Sequence, residues 1–345
     1  MKRLLLVFTT LLVFAGLARA CASGDWASAS ETADHPLGPG QHDLVLGIGG
    51  NERDYRLYVP RGLDARERVP LMIVLHGGGG WGKQIEDMSR MDSQADAAGF
   101  LVAYPNGARG IIGYTWNGGD CCGVAMRKES DDVTFISALI DELVEHQRVD
   151  PNRVYVTGIS NGGIMAHRIG CELSTKVAGI APIAGALMVE ECRPAEPIAV
   201  MFFHGTADHS VQVEGNFSKK SQPRRAFPPL QTQIEQWREF NECPDKGVVT
   251  YDKGDVQCRT YGPCAEGTEV AVCMISGGGH TWPGGKPIME RQLGHTTSDI
   301  SANEAMWNFF KDQPLRPPAE YRKKPKGRLE MDREEQREER PEGQR

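Results

Sequence analysis

Short continuous apolar blocks punctuate this chain, separated by stretches whose apolar residues recur every three or four positions. The blocks run from Tyr55 to Val59, Leu71 to Leu75, Phe100 to Tyr104, Val154 to Thr157, Val177 to Ile183, Ile198 to Phe203 and Val270 to Ile275. Unbroken runs of this length predict strands buried on both faces. Residues 256–261 and 268–275 predict a hairpin around Gly262-Pro263. From Asp131 onward, Val133, Ile136, Leu139, Ile140, Leu143 and Val144 share one helical face, with Asp131 or Asp132 placed to cap the free N–H groups. Ser301-Ala-Asn-Glu304 reads as a capping box that opens a last helix carrying Met306, Trp307, Phe309 and Phe310. Strands alternating with helices predict an α/β fold with a mainly parallel sheet.

The two ends differ from this body. Residues 1–20 combine Lys2 and Arg3, an apolar run from Leu4 to Leu17 and the end Ala18-Arg19-Ala20, which is the pattern of a secretory signal peptide. No later stretch approaches the roughly 18 apolar residues of a membrane span, so a secreted or periplasmic protein is expected. Cys21 follows the cleavage site directly, but Arg19 fits a lipoprotein signal poorly. Residues 21–40, rich in Ala, Ser, Gly and Pro, predict a flexible leader, and residues 316–345, with ten Lys/Arg against eight Asp/Glu, a solvated charged tail. One domain from 41 to 315 remains, and neither end is long enough for a separate binding module.

Charge narrows the partners. The net charge is −7, and the basic leader hides a more acidic body, which offers no footprint for nucleic acid or anionic lipid. Oligomeric state has no signature. Beyond Cys21 there are eight cysteines, an even number that favours disulfides over metal in an exported chain. In the hairpin centred on Gly262-Pro263, Cys258 lies opposite Cys273. The expected pairs are that one, Cys243 with Cys264 and Cys171 with Cys192, with adjacent Cys121 and Cys122 left over. A zinc site would need short-spaced ligands converging with His, and none is expected.

The richest stretch is Val154-Tyr-Val-Thr-Gly158-Ile-Ser160-Asn-Gly162-Gly163, where a buried strand meets Gly-x-Ser-x-Gly and then a helix. That context is what a nucleophile elbow requires, because the tight turn leaves no room for side chains two before and two after the serine. Ser160 would stand at a helix N-terminus, with the Asn161 N–H available to an oxyanion. A serine needs a base, and the base a carboxylate. His204-Gly-Thr-Ala-Asp208 follows one late strand and Gly277-Gly-Gly-His280-Thr-Trp another, giving the order Ser160, Asp208, His280 at strand carboxyl ends. Alone, Asp208 reads as a loop cap and His280 as a turn residue; together and in order they read as catalytic. Leu75-His76-Gly77-Gly78-Gly79-Gly80 supplies the second oxyanion donor, for which Gly78 is the candidate. His76 suits a structural role. A dinucleotide or phosphate loop is rejected because G-x-G-x-x-G spacing and a GK[ST] ending are both missing.

These motifs, with Tyr104-Pro-Asn-Gly107, Trp116-Asn-Gly-Gly-Asp-Cys-Cys-Gly123 and Asp131-Asp-Val, resemble the secreted polyhydroxybutyrate depolymerase and feruloyl or acetylxylan esterase group of α/β-hydrolases. The likeness covers about residues 42 to 312 in family order. It implies Ser160 as nucleophile, His280 as general base, Asp208 as its partner, and the Trp116 loop and Trp282 lining the acyl or sugar site. No metal or organic cofactor is implied. The stretch from Gly215 to Leu230 departs from the family pattern and is expected to form an excursion near the entrance. Soluble feruloyl or acetyl esters of plant polysaccharide are favoured over polyhydroxyalkanoate, because no surface-binding module is present. A serine peptidase and an inactive binding protein on the same fold are the readings from other classes.

Overall fold

A computed structural model describes residues 27–28, 36–63, 67–217 and 223–313. The signal peptide, Cys21, most of the leader and the charged tail lie outside these residues. In chain order the elements are β1 Ala27–Ser28, β2 Gly40–Ile48, β3 Asn51–Val59, β4 Val69–Leu75, α1 Gly82–Ser89, α2 Met91–Ala98 and β5 Leu101–Pro105. There follow β6 Ala108–Arg109, β7 Tyr114–Thr115, α3 Gly123–Arg127, α4 Asp132–His146, β8 Val149–Ile159, α5 Asn161–Glu172, β9 Gly179–Ile183 and β10 Ala199–Gly205. The last are α6 Leu230–Phe240, β11 Val248–Lys253, β12 Val256–Tyr261, β13 Val270–Ile275, α7 Glu290–Leu293 and α8 Ala302–Phe310.

The main sheet has 11 strands in the order β1-β2-β3-β5-β4-β8-β9-β10-β13-β12-β11. From β5 to β13 every pairing is parallel, while β2, β3, β12 and β11 join antiparallel at the flanks. Parallel neighbours need long crossovers, and the helices supply them on both faces. The period-2 alternation of strand side chains splits the interior in two. Leu71, Ile73 and Leu75 of β4 join Phe135 and Leu139 of α4, Ile169 of α5 and Trp237 of α6 in one cluster. Met72 and Val74 join Ile85 of α1, Met91 of α2 and Phe310 of α8 in the other. Tyr155 of β8 stacks on Phe310 at 4.7 Å and donates its hydroxyl hydrogen bond to the Phe310 carbonyl at 2.9 Å, which fixes the last helix to the central strand.

Both predicted caps are made: Asp131 Oδ1 accepts the Thr134 N–H at 3.1 Å, and Ser301 Oγ accepts that of Glu304 at 3.3 Å. Three features differ from expectation. Within the leader, Ala27–Ser28 pairs with Leu44–Val45, so this stretch is not wholly without structure. Strands β2 and β11 were not among the expected blocks: β2 buries only Leu44 fully and β11 is exposed at nearly every position. Such strands are recruited by pairing with a neighbour rather than by their own burial. Strand β11 is the outer edge, and its register slips between Val249 and Tyr251.

Candidate active site

The carboxyl ends of the central strands are level. Ile159 of β8 is opposite Ile183 of β9, Phe203 of β10 is also opposite Ile183, and Cys273 of β13 is opposite Phe203. The loops that follow these residues therefore emerge side by side. Ser160 comes first, with φ 57° and ψ −121°, a strained conformation for a residue with a side chain. It is held there by its own N–H bonded to Ile183 O at 2.9 Å and its carbonyl bonded to the Ile164 N–H at 2.9 Å. A Cβ on Gly162 would collide with the Leu75 carbonyl, and one on Gly158 would lie 2.7 Å from the backbone of Gly162. Strand and helix approach so closely that only glycine fits either side of the serine.

The glycine loop after β4 lies against this turn: a Cβ on Gly77 would meet the Ser160 Cβ at 3.6 Å, and one on Gly78 the Asn161 Cβ at the same distance. His76 orients it. The ring nitrogen Nε2 accepts the Gly107 N–H at 3.1 Å, so Nδ1 carries the proton and donates to Gly77 O at 2.8 Å. Gly80 N–H also reaches Gly77 O, at 3.0 Å. In a trans peptide the N–H points opposite to the C=O, so fixing the Gly77 carbonyl on His76 turns the Gly78 N–H to the other side. No acceptor takes that N–H among the described residues. Burial pushes His76 down to about 4, which keeps its ring neutral as this arrangement requires.

Asp208 and His280 meet. His280 Nδ1 donates to Asp208 Oδ2 at 2.7 Å, while Asp208 Oδ1 accepts the N–H groups of Ser210 at 2.7 Å and Val211 at 2.9 Å. Burial alone would raise the Asp208 carboxyl, but the His280 hydrogen bond and charge, with the Val211 N–H, hold it below the usual carboxylate range. His204 supports this loop from below, its Nε2 donating to Val211 O at 2.7 Å. Burial lowers its pKa, offset in part by that bond and by Asp208, 3.8 Å away. A bond from His280 Nε2 to the Ser160 hydroxyl is not among the hydrogen bonds of this structure. The three expected residues thus share one edge of the sheet, with the carboxylate–imidazole pair made and the imidazole–hydroxyl pair open.

The tryptophans occupy other positions than expected. Trp116 is 0% exposed, with its indole N–H on His76 O at 3.0 Å, and Trp282 is 1% exposed, with its indole N–H on Asn303 Oδ1 at 2.9 Å. Their large apolar rings are interior braces rather than walls of an open site. Asn161 was singled out for its backbone only, yet its side chain grips Trp116 twice: Oδ1 accepts the Trp116 N–H at 2.7 Å and Nδ2 donates to the Trp116 carbonyl at 2.9 Å. A polar residue inside the elbow motif was the available signal. The large apolar groups that do reach solvent here are Ile111, Ile112 and Trp81. Ile111 and Ile112 sit at the β6–β7 tip, joined to the glycine loop by Gly79 N–H on Tyr114 O at 2.8 Å.

The three expected disulfides, Cys171–Cys192, Cys243–Cys264 and Cys258–Cys273, are present, and Cys121 bonds to Cys122. Part of the excursion from Gly215 to Leu230, including Lys219 and Lys220, lies outside the described residues. The rest folds back on the Trp116 loop, with Arg225 paired to Asp120 at 2.8 Å. A groove of 1060 Å³ between α8 and the β11–β13 edge is lined by none of Ser160, Asp208 and His280. Among the described residues no cluster of His, Cys, Asp or Glu could hold a metal, and no helix is long and apolar enough to cross a membrane.

Comparison with known proteins agrees with this geometry. Residues 53–226 match the family described as esterase PHB depolymerase. The chain is 34% identical over 233 residues to feruloyl esterase B of Piromyces equi, covering 66% of this chain and 42% of that protein. It is 32% identical over 295 residues to the putative esterase NocK of Nocardia uniformis subsp. tsuyamanensis, covering 76% of this chain and 80% of that one. Among solved structures, the acetyl xylan esterase from Aspergillus awamori superposes with a TM-score of 0.55 at 14% identity, over 79% of this chain and 99% of that chain, a likeness of fold. The sheet, its flanking helices and the serine turn make this an α/β-hydrolase, and by its sequence the chain belongs to the esterase PHB depolymerase family.

Proposed function

We propose that this protein is an exported serine esterase that cleaves soluble feruloyl or acetyl esters of plant polysaccharide through an acyl-enzyme. The observation that carries the reading is the buried Asp208–His280 pair on the same sheet edge as the strained Ser160. Ser160 Oγ attacks the ester carbonyl, and its proton passes to His280 Nε2 as the C–O bond to Ser160 forms. Asp208 holds the imidazolium that results. The negative oxygen of the tetrahedral intermediate takes the N–H groups of Gly78 and Asn161, at the positive end of α5. His280 then gives its proton to the departing alcohol, and water repeats the sequence to release the acid. In this reading the His280 Nε2–Ser160 hydrogen bond forms when substrate binds, as catalytic hydrogen bonds commonly tighten in the complex. The disulfides support an extracellular setting.

A second substrate reading, an aliphatic polyester such as polyhydroxyalkanoate, has one observation in its favour: the exposed Ile111–Ile112 tip, with Trp81, stands beside the glycine loop and would suit an apolar chain. Release of ferulate, acetate and 3-hydroxybutyrate from matched substrates, with Ser160→Ala alongside, tests both. The expected result is turnover of the soluble esters, lost by about 10⁴-fold or more in the variant. Turnover of solid polyester alone would put the second reading first, and an active Ser160→Ala would end the serine mechanism.

A further inference from the structure

We propose that Asp255, in the turn between β11 and β12, positions the general base: it holds both ends of the loop that carries His280. The inference rests on the esterase reading and adds to it a residue far from the three catalytic side chains in sequence motif and outside the strand-end pattern. At the near end, the Ser276 N–H bonds to the Asp255 carbonyl at 2.7 Å. At the far end, Thr297 Oγ1 donates to Asp255 Oδ1 at 2.5 Å, and His295 Nε2 lies 3.0 Å from Asp255 Oδ2. One residue thus anchors positions 276, 295 and 297.

The segment it anchors grips His280 by the main chain. His280 N–H bonds to Leu293 O at 2.6 Å, Gly279 N–H to His295 O at 2.9 Å, Thr281 Oγ1 to His295 O at 3.1 Å, and Gly284 N–H to Thr297 O at 2.9 Å. Beneath the loop the backbone is close-packed: a Cβ on Gly205 would collide with the Gly278 carbonyl oxygen, and one on Gly279 with the Leu293 carbonyl oxygen. A close-packed interior passes displacement on instead of absorbing it. A shift of His295 and Thr297 would therefore reach the His280 ring.

The anchor itself is fixed. Asp255 N–H bonds to Asp299 Oδ2 at 3.1 Å, and Gly254, with φ 58°, leaves no space for a Cβ against the same carboxylate. Strand β12 is tied to β13 by Cys258–Cys273 at the register where the two residues face each other. The hairpin is thus a stapled bracket on the outer sheet, and its carboxylate reaches inward to the loop. No hydrogen bond joins Asp255 to Ser160, Asp208 or His280 among the described residues, so its role is to place His280, not to react.

The test uses the full chain with a soluble chromogenic ester, a fluorophosphonate probe and proton NMR. Asp255→Ala is expected to lower kcat by about 10-fold or more, since a displacement near 1 Å suffices for such a loss. KM should stay within about twofold, because ground-state binding is untouched. Fluorophosphonate labelling of Ser160 should slow by a similar factor, and the low-field proton signal of the Asp208–His280 bond should broaden or vanish. Asp255→Asn keeps an acceptor for Thr297 and should recover most of the activity, while Asp252→Ala, on the same hairpin, should behave as wild type. Folded Asp255→Ala with unchanged kcat and an intact low-field signal would overturn the proposal, as would an equal loss in Asp252→Ala. If Asp255→Ala fails to fold, the double variant His295→Ala/Thr297→Val decides: a fall in kcat at constant KM supports the proposal, and none overturns it. An inactive Ser160→Ala beside a normal Asp255→Ala would remove this inference alone, whereas an active Ser160→Ala would remove the esterase reading.

Discussion

The serine half of the site and the histidine half are built differently. Ser160 is fixed by shape: a strained backbone, backbone hydrogen bonds on both sides and glycines with no room for a side chain. His280 is fixed by hydrogen bonds on a long loop, from Asp208 at its ring and from Leu293 at its amide. Steric definition is unforgiving and hydrogen-bonded definition is graded. A nucleophile must not move, whereas a base must take a proton, hold it and hand it on.

Substitutions separate the two halves. Asp208→Asn keeps size but cannot hold the imidazolium; kcat should fall by about 10⁴-fold with the thermal midpoint little changed, which ester kinetics and a melting curve will show. Gly162→Ala strikes the other half. Its Cβ would drive into the Leu75 carbonyl, and denaturant unfolding should show a loss of at least about 3 kcal/mol together with activity. A stable, active Gly162→Ala would mean that shape does not define the serine turn.

Acid should loosen the serine half as well. Burial pushes His76 down to about 4 and His167 down to about 3, so both are neutral in the folded chain. In the unfolded chain a histidine titrates near ~6.5, so that state binds more protons below this value. Their contribution is complete above about pH 6.5 and is lost as pH falls toward 4, on the order of 3 kcal/mol for His76. Asp92, pushed up to about 6 by burial, acts in the opposite sense between about pH 4 and 6 and offsets part of this. The melting temperature should therefore drop from pH 7 to pH 4.5, and a flat profile would contradict the neutral His76 on which the Gly78 N–H depends. The smallest effect belongs to Asn161→Ala, which keeps the backbone donor and removes both bonds to Trp116. Unfolding should show a cost of about 1–3 kcal/mol, with kcat reduced far less than in Asp208→Asn.

The strand ends and their order were legible in the sequence because buried parallel strands advertise themselves as apolar blocks, and the residues just beyond them are Ser160, Asp208 and His280. The Cys258–Cys273 pair was expected, but the turn does not explain it: a hairpin centred on Gly262-Pro263 would set Cys258 opposite Gly267, whereas Tyr261 pairs with Val270 and the connection is centred on Ala265 and Glu266. Trp116 and Trp282 were misread for an equally physical reason. An aromatic within a motif looks the same in sequence whether its ring faces a cavity or the interior, and only the burial of the rings and the indole contacts with His76 and Asn303 decide. Asp255 and His295 left no trace either, since they meet across two loops and neither stands in a motif.

The slipped register in β11 bears on how the molecule lives among its copies. That rim strand offers Val248 and Val249 to water, a sticky ladder end for another protein of the same kind. The extra residue at Thr250 interrupts the ladder, and charged residues stand at both ends of the strand, Asp245 and Lys246 before it and Asp252 and Lys253 at its close. A ladder interrupted in this way is a poorer template for a second copy of the chain than a regular edge would be.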